Sequence, residues 1–200
     1  MTLALFMRRI AAALALALSA HAANAADAPA PALPTDSIYQ LAITLQDQDG
    51  RSLHLADKRG RPLLVSMFYT SCQFVCPMLI DAARATEAKL DPAERERLPV
   101  LLVSFDPERD SVAVLARTAR SRHLDRSQWT LARASAGDVR KLAAVLGIQY
   151  RRLPDGDFNH TTALILLDRD GRVASRTTRL GDADPAFVEV VKASLQAAAD

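Results

Sequence analysis

Cysteine is almost missing from this chain: two occur in 200 residues, which excludes the disulfide framework that holds together a small secreted domain lacking a core. Half of the residues are apolar, so a proper core can be buried without such staples, and the length suits one domain. An excess of charge is missing too. The formal net charge is +2, and it falls to zero when Arg8 and Arg9 are set aside with the N-terminal segment, which argues against a nucleic-acid surface. No internal repeat or low-complexity core segment occurs, and no electrostatic partner is announced.

The N-terminus is read apart from the fold. Arg8 and Arg9 precede an apolar run from Ile10 to Ala20, too short to span a bilayer, and Ala23-Asn24-Ala25 supplies the small residues of a cleavage site. Residues 1–25 therefore read as a signal peptide, cleaved after Ala25 or, as second choice, after Ala22, with an uncleaved anchor as the alternative. The expected location is outside the cytoplasm, periplasmic in a bacterium, either soluble or loosely membrane-associated. Residues 26–36 are rich in proline and poor in bulky apolar groups, so they read as a flexible leader. Residues 37–200 form the domain.

Within it, alternation over Leu41, Ile43 and Leu45, the turn Asp47 to Gly50, and Leu53 and Leu55 predict a hairpin beginning at Tyr39. Leu63 to Phe68 is an apolar run of buried-strand type, and a helix starting at Pro77 reaches about Leu90. Asp91 to Arg97 reads as a solvated face or loop. Strand, loop and helix then recur: Val100 to Phe105 with a helix from Val112, and Trp129 to Ala132 with a helix from Val139 to Leu146. Ile148 to Arg151 is an extended piece, and Asp155 to Asn159 a polar loop delivering His160. A second hairpin spans Thr162 to Thr178, and Asp184-Pro185 opens a last helix through Ala198. The expected fold is α/β: a thioredoxin-like mixed sheet flanked by helices, with an added N-terminal β-hairpin.

The chemistry gathers at one corner. Cys72 and Cys76 lie between a strand and a helix, where the helix dipole favours thiolate. On a helical turn their α-carbons come about 6 Å apart, close enough for a disulfide or for clamping one ion. A disulfide at this spacing closes only a tiny loop and stabilises little by the loop-entropy argument. A metal needs a third ligand. Of the four histidines, His21 leaves with the signal peptide, while His54 and His123 read as surface residues. His160 is the candidate, because it follows a polar loop and opens an apolar strand. Two thiolates and an imidazole suit copper; zinc takes the same donors but usually closes with four. Met67 and Met78 offer thioethers near the corner, with core packing the plainer role.

Three motifs then carry a resemblance. Tyr69-Thr70-Ser71-Cys72 through Cys76-Pro77, Ser104-Phe105-Asp106-Pro107-Glu108-Arg109-Asp110, and Asn159-His160-Thr161 ahead of Leu164 to Asp168 and Gly171 resemble the SCO/SenC family of copper proteins over roughly residues 37–198. The resemblance implies a thioredoxin-like fold, copper as Cu(I) or Cu(II) held by Cys72, Cys76 and His160, and a part in assembling the binuclear copper A centre of cytochrome c oxidase. The implied partner is the copper A subunit or another copper protein, met by a monomer. The chain departs from the family's pattern at Gln73-Phe74-Val75, where a proline and an acid are common, and at Asn159, where an aspartate often stands. Asp106 to Asp110 reads as structural, an Asp-Pro turn with Arg109 bridging carboxylates.

Two functions compete for the same pair of thiols. A copper chaperone binds and passes on metal without turnover, whereas a thiol-disulfide oxidoreductase uses Cys72 and Cys76 as nucleophile and resolving thiol. A peroxidase is a more distant third. A ligand at His160 separates the first two, since imidazole has no necessary part in disulfide exchange.

Overall fold

The strand Leu63–Phe68 has every side chain buried, and the other strands are laid out from it. A computed structural model describes residues 32–198, so the expected signal peptide and all but the end of the leader lie outside the described residues. In chain order the strands are β1 (Thr44–Asp47), β2 (Ser52–His54), β3 (Leu63–Phe68), β4 (Val100–Ser104), β5 (Trp129–Arg133), β6 (Tyr150–Arg152), β7 (Phe158–His160), β8 (Leu164–Leu167) and β9 (Val173–Thr177). The helices are α1 (Val75–Glu87), α2 (Pro92–Glu96), α3 (Val112–Ser121), α4 (Ala136–Val145) and α5 (Pro185–Ala197).

Seven strands form one sheet in the order β2-β1-β5-β4-β3-β8-β9. Parallel strands need long crossovers, and α1 and α3 fill the two that join β3 to β4 and β4 to β5. Hairpins close both edges antiparallel, β1-β2 beyond β5 and β8-β9 beyond β3. This is the expected thioredoxin-like mixed sheet, flanked by helices, with the N-terminal hairpin added at one edge. The continuous apolar runs of β3, β4 and β8 are explained by this placement, since a central strand covered on both faces has no polar side. Ser66 is the polar exception in β3, and its hydroxyl is satisfied by donating to the Ala163 carbonyl at 2.6 Å. Among the described residues no helix is long and apolar enough to cross a membrane.

Several local expectations need correction. The first strand begins at Thr44 rather than Tyr39, because Ser37 caps a 3-10 turn at Ile38–Gln40 through the Tyr39 N–H. Leu55 belongs to a second 3-10 turn, Leu55–Lys58, not to β2. Asp91 to Arg97 is not a plain loop: Asp91 and Glu94 form a reciprocal capping box that nucleates α2, with Pro92 in its first turn. The helix expected from Pro77 starts two residues earlier, at Val75, and leaves Pro77 in the first turn where no backbone donor is required. His160 does not open the apolar strand. It ends β7, which pairs antiparallel with β6 in a two-stranded ribbon outside the main sheet.

Candidate metal centre

Phe68 ends β3, and the chain turns through Tyr69 to Phe74 before α1 begins. The turn is held from β4 and the loop after it. Asp110, 1% exposed, accepts the Thr70 N–H at 3.0 Å together with the hydroxyls of Thr70 and Ser104. Ser104 in turn accepts the Asp106 N–H at 3.0 Å, and Phe105 N–H donates to the Phe68 carbonyl at 2.9 Å. A buried carboxylate with three donors is fully satisfied, so the turn is fixed rather than merely favoured. The structural reading of Asp106 to Asp110 therefore stands, with one change. Arg109 joins one carboxylate, Asp106, to the backbone carbonyl of Gly156, instead of bridging two carboxylates.

Helix α1 has no side-chain cap at Phe74, and the Cys72 sulfur takes over that task by accepting the Cys76 N–H at 3.3 Å. The two thiols differ. Cys72 is half-buried; burial opposes its ionisation, but hydrogen bonds from the Cys76 N–H, the Cys76 thiol, the Phe74 N–H and the Tyr69 hydroxyl together hold its thiol below the ordinary range. Cys76 is buried, and that burial, with Cys72 beside it, pushes its thiol well up.

The ribbon brings the imidazole. His160 lies with Phe158 on one face of β7, and both rings meet Phe105, at 4.9 and 5.1 Å between centroids. Tyr69 packs edge-on to His160 at 5.8 Å, and Tyr150 stacks on Phe105 at 5.3 Å. This aromatic cluster clamps the ribbon to the ends of β3 and β4. His160 Nδ1 lies 3.2 Å from the Thr161 carbonyl and 3.0 Å from the Thr162 hydroxyl. With Nδ1–H given to the carbonyl, Nε2 keeps the lone pair a metal requires.

Ligand atoms of Cys72, Cys76 and His160 all lie within 4.8 Å of one another, one from each residue. Two soft thiols and one imidazole at that spacing fit a single copper ion, and only modest closure brings them to bonding distance. The other sequence candidates stay apart. His54 is exposed, with Nδ1 against the Ile43 carbonyl at 3.1 Å, and His123 is exposed at a left-handed position. Met67 is 1% exposed in the core, and Met78 is 45% exposed on α1. The sequence reading gave Tyr69 no role beyond its place in the first motif; its hydroxyl donates to Asp157 beside the site.

A thioredoxin-like frame carrying a dithiol corner and a facing histidine defines a class of thiol-metal proteins. The SCO1/SenC family model matches residues 34–195, and the chain belongs to that family. Among similar proteins, the SCO1 protein homolog of Bacillus subtilis is 27% identical over 136 residues, 66% of this chain and 69% of its own. The mitochondrial protein SCO2 homolog of Bos taurus is 29% identical over 75% of this chain, and the match spans only 59% of that longer protein. The solved structure of Bradyrhizobium japonicum ScoI with copper bound superposes with a TM-score of 0.61 at 25% identity, covering 76% of this chain and 96% of that one.

Proposed function

We propose that the chain is an exported, periplasmic copper protein that holds one ion between Cys72, Cys76 and His160 and delivers it to, or helps assemble, the binuclear copper A centre of cytochrome c oxidase. The observation that carries this reading is the convergence of the three ligand atoms within 4.8 Å, from two elements 84 residues apart in sequence. Family membership and the copper in the ScoI structure support it. Residues 1–25 as a signal peptide and 26–36 as a leader belong to the same proposal.

The division of labour follows from ligand chemistry. Two thiolates suffice for Cu(I), and the imidazole completes a site that also accepts Cu(II). Cys72 and His160 are only half-buried, so a partner's ligands can reach the ion and exchange it. Phe74, 76% exposed between the cysteines, gives the partner an apolar contact at the point of transfer. A second reading has its own support in the unlike thiols. Cys72, held below its ordinary range, would attack a partner disulfide, and buried Cys76 would resolve the mixed disulfide, leaving the partner a dithiol and this pair oxidised.

His160→Ala separates them. For copper handling, the variant loses strong Cu(II) binding and its thiolate-to-copper absorption, keeps disulfide exchange, and fails to support oxidase assembly at limiting copper. Full assembly with His160→Ala, and failure only with Cys72→Ala or Cys76→Ala, would move the function to the reductase. Tight stoichiometric copper on the Cys72→Ala, Cys76→Ala double variant would put the site elsewhere.

A further inference from the structure

One turn of the chain reaches both halves of the candidate copper site. Residues 106–110 close on the Asp106 carbonyl, which accepts the N–H groups of Arg109 and Asp110 at 3.2 and 2.9 Å, and Arg133 Nη2 ties the turn to β5 by donating to the Pro107 carbonyl at 2.7 Å. Asp110 serves the thiol side, where it accepts the Thr70 N–H. Arg109 serves the imidazole side. Its Nε donates to the buried Asp106 carboxylate and its Nη2 to the carbonyl of Gly156, at the tip of the hairpin whose second strand is β7. That tip is tight: Gly156 N–H donates to the Leu153 carbonyl at 3.0 Å and Leu153 N–H to the Asp157 carbonyl at 2.8 Å, so a hold on Gly156 is a hold on the strand that carries His160. The same guanidinium stands 5.8 Å from the centre of the Phe158 ring, and Phe158 packs with His160 on Phe105. Arg109 also lines the cavity onto which Cys72 and His160 open.

Resting on the copper reading above, we propose that Arg109 is a positioning residue for His160: it braces the β6-β7 hairpin against the turn that fixes the thiols, and so sets the imidazole for Cu(II). The shape of the side chain suits the task. A guanidinium carries separate donors on a rigid plane, so one residue satisfies a buried carboxylate and a carbonyl of another element at once. A lysine keeps the charge beside Asp106 but offers a single head, which cannot span both. The base of the hairpin is held in any case, by the Thr161 N–H on the Gln149 carbonyl at 2.9 Å and by the run into β8. Arg152 in β6 also meets the turn, through Glu108 at 2.8 Å, but both side chains are exposed and such a pair contributes little. With its tip released the hairpin spends part of its time away from the thiols, and an ion that needs all three donors is weakened by the fraction closed. Cu(I), for which two thiolates suffice, loses little. Charge cannot mimic this, since a cation at the cavity repels copper and its removal would strengthen the binding of both ions.

The test compares wild type, Arg109→Lys and Arg152→Gln as full chains. In the metal-free protein, amide exchange across residues 150–160 should quicken by roughly tenfold in Arg109→Lys, with β3 and β4 unchanged. Competition with chromophoric chelators should then show Cu(II) weakened by about tenfold, the scale of outer-shell partners, Cu(I) held within about threefold, and the thiolate-to-Cu(II) absorption shifted toward that of His160→Ala. Arg152→Gln should match wild type throughout. Adding Arg109→Lys to His160→Ala should cost nothing further, because the brace then has no imidazole to position. Equal losses for both ions, faster exchange across the whole sheet, a loss that multiplies in the His160→Ala background, or an Arg152→Gln effect as large as that of Arg109→Lys would each overturn the inference. The Arg109 side chain is 41% exposed and Arg109→Lys keeps its charge, so the fold survives the change. If wild type binds no copper, the copper reading fails; if it binds and Arg109→Lys matches it, only this inference does.

Discussion

Glu87 sits in the last turn of α1 with only 8% exposure, where Trp129, Arg95 and Arg84 favour its charged form and Asp125 opposes it. Burial raises its carboxyl to about 7, against an ordinary value near 4.5. The folded state therefore holds a proton that the unfolded chain releases, and stability is fully present below about pH 4.5 and declines as pH rises to about 7. Because the carboxyl keeps some contact with water, the loss is about 1–2 kcal/mol rather than the full linkage value. Glu87→Gln should flatten urea-denaturation stability between pH 5 and pH 8 relative to wild type; the same pH slope in both proteins would refute this origin. At this scale the sequence told some residues and hid others. Cys72, Cys76 and His160 were open to reading because thiols and imidazoles are rare and chemically distinct. Tyr69 and Asp157 were not, since their pairing spans 88 positions and exists only once the ribbon folds over the corner.

Elements were readable where one local rule decided them. β3, β4 and β8 are runs of buried residues, and β5, α3 and α5 were recognised to within a few residues by period and, for α5, by Asp184-Pro185 at its start. β7 escaped because Phe158-Asn159-His160 has no apolar period; its strand character comes from pairing with β6 and from the aromatic cluster. α2 escaped because a capping box was read as mere solvated charge. The β8-β9 hairpin shows how an element's turn can anchor another. Gly171 has φ +83°, its carbonyl accepts the Ile38 N–H at 3.0 Å, and a Cβ there would stand 2.5 Å from Tyr39 Cδ2. Gly171→Ala thus combines left-handed strain with a clash against a buried ring, and should cost about 2–3 kcal/mol in denaturant unfolding. Since Tyr39 lies outside the ligand cluster, copper affinity of the folded variant should be unchanged; a loss within about 0.5 kcal/mol would mean that the 3-10 turn simply moves away.

In the whole molecule the two halves of the candidate site differ in how firmly they are built. The thiols stand on the central sheet, behind β3 and β4 and an Asp110 carboxylate with three donors, whereas His160 stands on a three-residue pair of strands tied on by rings and by Arg109. Short, partly exposed ladders open more readily than central ones, so the ribbon amides should exchange with solvent far faster than those of β3 and β4 in the metal-free protein. A ligand that binds only when both halves are in place stabilises the closed arrangement by an amount set by its concentration over its dissociation constant, about 2.7 kcal/mol at a hundredfold excess. Copper should therefore slow exchange selectively across residues 150–161, by up to roughly a hundredfold, and leave the slowest amides of the central sheet limited by global unfolding. His160→Ala should abolish the selective protection while Cu(I) still protects the start of α1 through the two thiolates. Protection confined to α1 in the wild type as well would mean that the ion is held by Cys72 and Cys76 alone, with the ribbon standing open beside it.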